Sequence, residues 1–405
     1  MSTVAEGHAS IGDNLQRCRR YRGMSLQVLA DRAGLSKSFL SMVENGQRRL
    51  DRRSHLGALA DALEVAVSDL TGQPYSPPPQ PNGEGGHGMV PRMRGALLGS
   101  SLEEPADVPT SPVAELAEET GRVEQLCADS DYGAFGRLLP GLVPALHVTA
   151  ATADSGGREE ALRCLVRAYH ATFYLLKDLG YLDLAQVAVQ QARDAAARLD
   201  DPALTGLAAF VRTHALIPAG VCKAALSNAE RAADQIQDKR TVRTVGEVYG
   251  MLHLSAALVC VSLNRTDDAQ AHLAEAAETA EHLGEGNAYG LHFGPTNVNI
   301  WKVATSVELG EGGKAAEIAA TVTPELIPSQ GRQASFFADW GRGLGQLGGH
   351  DREAIVKLRQ AEKLAPEQIR NNPLTRETVT HLLRRERATA GGRELRGLAY
   401  RMGVS

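Results

Sequence analysis

Residues 19–49 read RRYRGMSLQVLADRAGLSKSFLSMVENGQRR, and this stretch decides the fold of the N-terminal part of the chain. Ser25 precedes one helical pattern that stops at Gly34, and Ser36 precedes a second that stops at Gly46. Serine caps the N-terminus of a helix, and glycine ends one because it adopts the left-handed backbone conformation freely. Two capped helices joined by so short a turn predict a helix-turn-helix.

Helical patterns also flank this stretch. Residues 11–22 predict a preceding helix that ends at Gly23, and residues 55–65 predict a following one. Ala30 stands where the two central helices cross closely, and a larger side chain there would push these helices apart. The apolar positions expected to fill the small core between the helices are Leu29, Ala33, Leu35, Leu40 and Val43.

Together with residues 55–70, HLGALADALEVAVSDL, this stretch resembles the lambda-repressor-like, or xenobiotic-response-element (XRE) type, helix-turn-helix family. The resemblance implies that the third helix enters the major groove of double-stranded DNA with its N-terminal residues on base edges. It also implies a structural ion pair between Arg19 and Glu44. The DNA-binding residues that it implies by position are Ser36, Lys37, Ser38, Ser41, Met42, Asn45, Arg48 and Arg49.

These positions have different expected roles. Lys37, Ser38 and Met42 are candidates for contacts with base edges, whereas Ser36 and Asn45 are candidates for phosphates at the two ends of the helix. Either Arg48 or Arg49 is expected to reach the DNA backbone. The alternative is that the head is a protein-binding helical bundle built on the same scaffold.

The charge distribution is compatible with DNA binding, and the full spacing of the helix-turn-helix motif favours DNA over the protein-binding alternative. The whole chain has a net charge of −5, but residues 1–72 hold ten basic and eight acidic side chains. Four arginines crowd into six positions, namely Arg48, Arg49, Arg52 and Arg53. A local basic patch on an acidic protein can contact phosphates.

The composition predicts an all-α protein of more than one unit. Hydrophobic residues make up 43% and charged residues 22%, a normal globular balance that excludes disorder, and 405 residues exceed one ordinary core. Aromatic residues make up only 4%, and alanine is abundant. Such a composition suits closely packed helices and argues against a β-sandwich.

A change of composition separates the predicted head from the rest. Residues 73–112 hold nine of the 18 prolines, together with many glycines and serines. We therefore predict a head at residues 9–72, a flexible Pro/Gly-rich linker at 73–112 without a continuous helix, and a helical domain at 113–405. Within the linker, residues 93–102 are candidates for a short docking segment.

A degenerate repeat runs through the C-terminal part. A turn residue is followed five positions later by alanine and twelve positions later by a small or apolar residue, at intervals of 39 to 46 residues. The turn residues are Gly180, Gly220, Asn264, Gly310 and Gly349. The pattern resembles tetratricopeptide-like repeats, which implies an α-solenoid of antiparallel helix pairs with a concave face.

A lambda-repressor-like head joined to such an array resembles the peptide-sensing regulators called RRNPP. The resemblance implies a homodimer whose concave groove holds a short signal peptide, with asparagines on its inner helices. His214 and Tyr249 are expected near that groove. The ligand-binding candidates are His253, Asn287, Tyr289, His292, Phe293, Asn297 and Trp301. Ordinary core packing of these residues is the alternative, and for Phe336, Phe337 and Trp340 we expect core or a dimer surface.

The motifs of common enzymes are missing from the sequence, which has no H-E-x-x-H and no G-x-S-x-G. We therefore expect no catalytic residues and no cofactor. The five cysteines lie far apart, so we also expect no metal site. No signal peptide or membrane-spanning stretch is visible, which predicts a cytoplasmic protein. We therefore expect a bacterial DNA-binding transcription regulator, as in quorum sensing, that responds to a signal peptide or another small molecule. The alternative is a regulator whose array recruits a partner protein.

Overall fold

A computed structural model describes residues 9–75, 85–386 and 392–404. Within these residues the secondary structure is helical throughout, and no strand is present. The all-α prediction is therefore confirmed. The head contains α1 (Ile11–Tyr21), α2 (Leu26–Ala33), α3 (Lys37–Glu44), α4 (Arg53–Leu63) and α5 (Val67–Thr71).

The rest of the described chain, which we call the body, forms sixteen further α-helices. They are α6 (Gly86–Leu98), α7 (Val113–Ala128), α8 (Tyr132–Thr152), α9 (Ser155–Asp178), α10 (Leu182–Ala196), α11 (Pro202–Leu216), α12 (Cys222–Ile236), α13 (Arg243–Ser262), α14 (Thr266–Leu283), α15 (Pro295–Leu309), α16 (Gly312–Ala319), α17 (Gln330–Leu344), α18 (Asp351–Leu364), α19 (Pro366–Asn371), α20 (Pro373–Glu386) and α21 (Arg393–Met402). Short 3-10 turns lie at Gln237–Lys239, Ala288–Gly290 and Pro324–Leu326.

The head has the predicted helix-turn-helix geometry. The Ser25 hydroxyl accepts a hydrogen bond from the Val28 backbone N–H at 3.2 Å and caps α2. Ser36 caps α3 in the same way through the Phe39 N–H at 3.1 Å. Gly34 has φ +64°, a left-handed conformation that strains any residue with a Cβ atom. The core between the helices includes Leu15, Leu29, Ala30, Leu40, Val43, Leu59 and Leu63.

The body is a repeat-like series of packed antiparallel helix pairs. The pairs are α9 with α10, α11 with α12, α13 with α14, α15 with α16, and α17 with α18. Each predicted turn residue lies between the two helices of a pair and has a positive φ angle, at Gly180, Gly220, Asn264, Gly310 and Gly349. The alanine five positions after each turn is buried at the interface, at Ala185, Ala225, Ala269, Ala315 and Ala354. Small residues at these points let the helices approach closely.

The array turns back on itself. The first helices of successive pairs contact one another in the order α9, α11, α13, α15 and α17. The short helix α19 contacts both α17 and α9, and α17 also contacts α7. The two ends of the array therefore meet around a cavity that is partly open to solvent.

Part of the predicted linker is a packed helix. Three apolar residues of α6 recur at helical spacing and are buried against the body, namely Val90, Met93 and Leu97. Pro91 lies inside this helix and is exposed. Proline removes one backbone hydrogen bond, and the burial of three apolar side chains offsets that loss. For residues 86–98 the expectation of a flexible linker without a continuous helix is therefore wrong, and residues 76–84 lie outside the described residues.

The head packs directly on the body. Leu374 of α20 is 3% exposed and belongs to the hydrophobic core of the head. The backbone N–H of Leu50 donates to Glu377 Oε1 at 3.4 Å, and Arg384 Nη1 donates to the carbonyl of Gly46 at 2.9 Å. The loop that follows α3 is therefore held by α20.

One helix of the body is long and apolar enough to cross a membrane by those measures alone. That helix is α13, and 89% of its most apolar window is buried by neighbouring helices. This is the environment of a core helix in a folded domain.

Candidate functional sites

The predicted DNA-binding residues lie together along α3 and the loop that follows it. Lys37, Ser38, Asn45 and Arg48 are exposed, and Ser41 and Met42 are half-buried. Ser36 is exposed at the N-terminus of α3, where its hydroxyl already accepts the capping hydrogen bond. The exposed N-terminal turn of α3 presents one lysine and two serines, which can donate to or accept from base edges and phosphates.

The structural ion pair of the head has the implied partners. Arg19 Nε lies 2.6 Å from Glu44 Oε1, and Arg19 Nη2 donates to Glu44 Oε2 at 2.7 Å. The hydrogen bonds to Glu44 raise the pKa of Arg19. Arg19 Nη1 also donates to the Met24 carbonyl at 2.8 Å, so the pair joins α1, the loop before α2 and the end of α3.

Arg49 does not reach the DNA face, which corrects its assignment as a phosphate contact. Its side chain is 8% exposed and lies between the head and the body. The Arg49 guanidinium pairs with Asp51 at 2.8 Å and donates to the Arg342 carbonyl at 3.4 Å. Burial lowers the pKa of Arg49. Arg48 remains exposed, with its guanidinium 5.1 Å from the centre of the Phe39 ring.

Comparison with known proteins identifies the head. Residues 10–71 match the protein family described as a helix-turn-helix domain. The head is a helix-turn-helix domain. The match and the exposed α3 support the resemblance to the XRE-type family and a DNA-binding role. No curated protein matches the chain, and the family match does not extend into the body.

The cavity of the body has a volume of about 280 Å³ and is partly open to solvent. Its wall is built by α7, α9, α11, α13, α15, α17, α19 and the turn at Ala288–Gly290. Four of the predicted ligand-binding residues line it, namely Tyr289, His292, Asn297 and Trp301, together with His214. The volume lies just below the range for sites of drug-sized ligands, about 300–1,000 Å³, and so suits a small molecule.

Three predicted ligand-binding residues lie outside the cavity wall. Phe293 is fully buried and packs against Gly250, where any Cβ atom would collide with its ring. His253 faces His272, with 3.0 Å between their Nδ1 atoms. Asn287 is exposed, and its Oδ1 accepts from the His292 N–H at 3.2 Å. Core packing and loop structure therefore account for these three, as the alternative expectation had it.

Asn297 lines the cavity with an amide that the protein already uses. Its Nδ2 donates to the Leu291 carbonyl at 3.1 Å, and its Oδ1 accepts from Arg332 Nε at 2.7 Å. The side chain is 1% exposed. Asn297 therefore positions Arg332, and the expectation that its amide directly holds a ligand is replaced by this role.

The most distinctive cavity residues were not predicted from the sequence. Arg332 lies with its guanidinium 5.0 Å from the centre of the Trp301 ring. His170 and Tyr174 of α9 line the same space, with their rings 5.3 Å apart. Burial lowers the pKa of Arg332 to about 10 and that of His170 to about 4. At neutral pH Arg332 is therefore a cation beside a neutral imidazole.

The cavity also touches the DNA-binding head. Arg53, at the N-terminus of α4, lines the cavity and pairs with Glu308 of α15. Glu308 also accepts from Arg342 Nη2 at 2.9 Å, and the same nitrogen donates to the Asp51 carbonyl at 2.9 Å. Burial alone would raise the pKa of Glu308, but Arg53 and Arg342 outweigh it and hold that pKa below its usual value.

Proposed function

We propose that this chain is a sequence-specific transcription regulator of the bacterial cytoplasm, without catalytic activity. In this proposal the helix-turn-helix head of each subunit of a homodimer reads one half of a double-stranded DNA operator. The helical array senses a small signalling molecule or a short peptide and controls how the heads bind DNA.

One observation supports the DNA-binding part above all others. The N-terminal turn of α3 is exposed, capped by Ser36, and carries Lys37 and Ser38 at the positions that meet base edges in related heads. The family match of residues 10–71 supports the same role.

Selection of duplexes from a random-sequence pool by the full chain tests this proposal. We expect enrichment of a motif made of two related half-sites, centred about one helical turn of DNA apart or a multiple of it. Selection with Ser38→Arg, which changes the chemistry of the predicted base-facing turn, should shift bases within each half-site. A pool that stays unenriched after repeated rounds with the wild-type chain would contradict sequence-specific binding.

The cavity of the body supports ligand sensing. A cavity lined by side chains of several helices suits a small ligand, whereas recruitment of a partner protein needs a broad open face. The tetratricopeptide-like arrangement and the resemblance to RRNPP regulators give the precedent for a signal bound inside such an array. Arg53 supports a link to the head, because it belongs to α4 and also lines the cavity.

The homodimer rests on the expected pairing of half-sites, because one small head buries little surface on DNA. Light scattering on the full chain at micromolar concentration checks this part separately. We expect twice the mass of the 43.2 kDa chain. A monomer both free and on DNA would contradict it.

A further inference from the structure

The cavity contains buried polar atoms without hydrogen-bond partners. Arg332 Nη2, Trp301 Nε1, His170 Nε2 and His292 Nδ1 are all buried and lack a partner within the part of the chain that the structure describes. All four residues line the same cavity, and the arginine and tryptophan nitrogens are donors. Buried polar atoms are almost always hydrogen-bonded, and each exception calls for an explanation. A bound ligand that accepts from the two donors and offers further polar atoms to the imidazoles explains all four at once.

Arg332 gives this site its charge. The carboxylates of the cavity wall already pair with other cations: Glu124 with Arg167, Asp178 with Lys177, and Asp339 with Arg342. Asn297 accepts one N–H of Arg332, and the Trp301 ring lies against its guanidinium, but no carboxylate bonds to it among the described residues. Asp339 acts on Arg332 only through space. Burial of a guanidinium that no carboxylate bonds is costly, so the site favours a ligand that brings a negative charge.

One side of the remaining wall is aromatic. Trp301 and His214 lie with their rings 5.7 Å apart, and the Tyr174 and Phe210 rings lie 6.2 Å and 4.6 Å from His214. These rings contact one another and form a surface against which another ring can pack. Gln368 Oε1 is a buried acceptor in the same wall without a partner among the described residues, so it can accept from a hydroxyl or amino group.

We propose that the cavity binds a small aromatic carboxylate, with the carboxylate on Arg332 Nη2 and Trp301 Nε1 and the ring among Tyr174, Phe210 and His214. This proposal rests on the proposed sensing function and names the chemistry of its ligand. Arginine suits a carboxylate because its planar N–H groups match the two oxygens. A hydroxyl group on the ring meets Gln368.

Calorimetric titration of the full chain at pH 7.5 tests the assignment with three probes, namely benzoate, 4-hydroxybenzoate and benzamide. Benzamide has nearly the shape of benzoate without its charge. We expect 4-hydroxybenzoate to bind best, benzoate to bind, and benzamide to bind at least tenfold more weakly than benzoate. Benzamide binding as tightly as benzoate would overturn the proposal, and so would failure of both carboxylates to bind at millimolar concentration.

Variants of Arg332 and Trp301 locate the site. Arg332→Gln should weaken benzoate binding at least tenfold, and the matched control Arg163→Gln, an exposed arginine paired with Glu159, should leave it unchanged. Trp301→Phe keeps a ring and removes the donor, and it should weaken binding severalfold. Unchanged binding in both variants would overturn the assignment.

These titrations contain no DNA. Failure of ligand binding therefore leaves sequence-specific DNA binding intact, and failure of DNA selection leaves the ligand site intact.

Discussion

Arg53 of α4 and Glu308 of α15 form an ion pair that joins the DNA-binding head to the helical array. Glu308 also accepts from the backbone N–H of Arg53 at 2.9 Å, at the first residue of α4. Its side chain is 2% exposed, and Arg342 pairs with it from the other side. One buried carboxylate therefore holds a head residue that lines the cavity. In the proposed function, this residue would connect a bound ligand to the head.

Glu308→Gln tests how much the contacts of Glu308 with Arg53 and Arg342 stabilise the protein. The change leaves Arg342 and Arg53 as buried or half-buried cations without their shared anion, so we expect the free energy of unfolding to fall by about 3–5 kcal/mol. Urea unfolding measures this loss. Glu159→Gln, which breaks an exposed pair with Arg163, is the control and should cost less than about 1 kcal/mol. If both substitutions lowered the free energy of unfolding equally, the contacts of Glu308 would contribute no more than an exposed ion pair.

Lys37 and Arg48 should affect DNA binding in different ways. Lys37→Ala should reduce the discrimination between a selected duplex and a random one by about 1–3 kcal/mol, because it removes a base contact. Arg48→Ala should weaken binding to both duplexes equally and flatten the dependence on salt, because it removes a phosphate contact. Fluorescence anisotropy across a salt series separates the two. Equal losses on both duplexes for Lys37→Ala would contradict its assignment to a base.

Arg49→Ala should behave differently from Arg48→Ala. Arg49 is buried between the head and the body, so its replacement should lower the free energy of unfolding and leave the salt dependence of DNA binding unchanged. A flattened salt dependence in a stable Arg49→Ala variant would show that Arg49 contacts DNA and not the body.

Asn297→Ala should destabilise the fold. Its amide joins the Leu291 carbonyl to Arg332 Nε, and its loss leaves a buried carbonyl and a buried guanidinium N–H without partners. We expect the free energy of unfolding to fall by about 1–3 kcal/mol. Asn299→Ala, a half-buried neighbour on the same helix, is the control and should cost less. A fully stable Asn297→Ala variant would mean that Arg332 is held by other contacts.

The cavity histidines should make the protein less stable in mild acid. Burial lowers the pKa values of His170 and His292 to about 4, below the usual 6.5. Their stabilising contribution is therefore complete above about pH 6.5 and falls as the pH drops toward 4, by up to about 1.4 kcal/mol per histidine and pH unit. Urea unfolding at pH 7.5 and 5.5 measures the difference.

The double variant His170→Gln/His292→Gln should lose less stability over this interval than the wild type, and His350→Gln, an exposed site, controls for the substitution. If the double variant lost as much stability as the wild type, other groups would account for the acid sensitivity.

Much of the fold could be predicted because its signals are local. Ser25 and Ser36 cap helices through hydrogen bonds to residues three positions later, and Gly34 forms the turn through its own positive φ angle. The sequence alone therefore locates the helix-turn-helix. Gly180 and Asn264 likewise end one helix and begin the next through their own positive φ angles. The packed pairs of the body follow from such turns and from the alanines that succeed them.

The site could be predicted only in part because its key contacts are distant in sequence. Arg49 contacts Arg342 from 293 positions away, so nothing near Arg49 distinguishes it from the exposed Arg48. The sequence predicted Tyr289, His292 and Trp301 as ligand-binding residues, and all three line the cavity. Arg332 lies in an ordinary helical sequence, and only the closure of the array shows that its guanidinium lacks a carboxylate.

The ratio of two dissociation constants tests the central claim most directly. The full chain is titrated against the duplex enriched by selection and against a scrambled duplex of the same composition, at one fixed salt concentration. If the head reads sequence through α3, the selected duplex should bind at least about 10³-fold more tightly, as specific regulators do. Equal dissociation constants for the two duplexes would contradict the account, because the head would then contact only the phosphate backbone or no DNA at all.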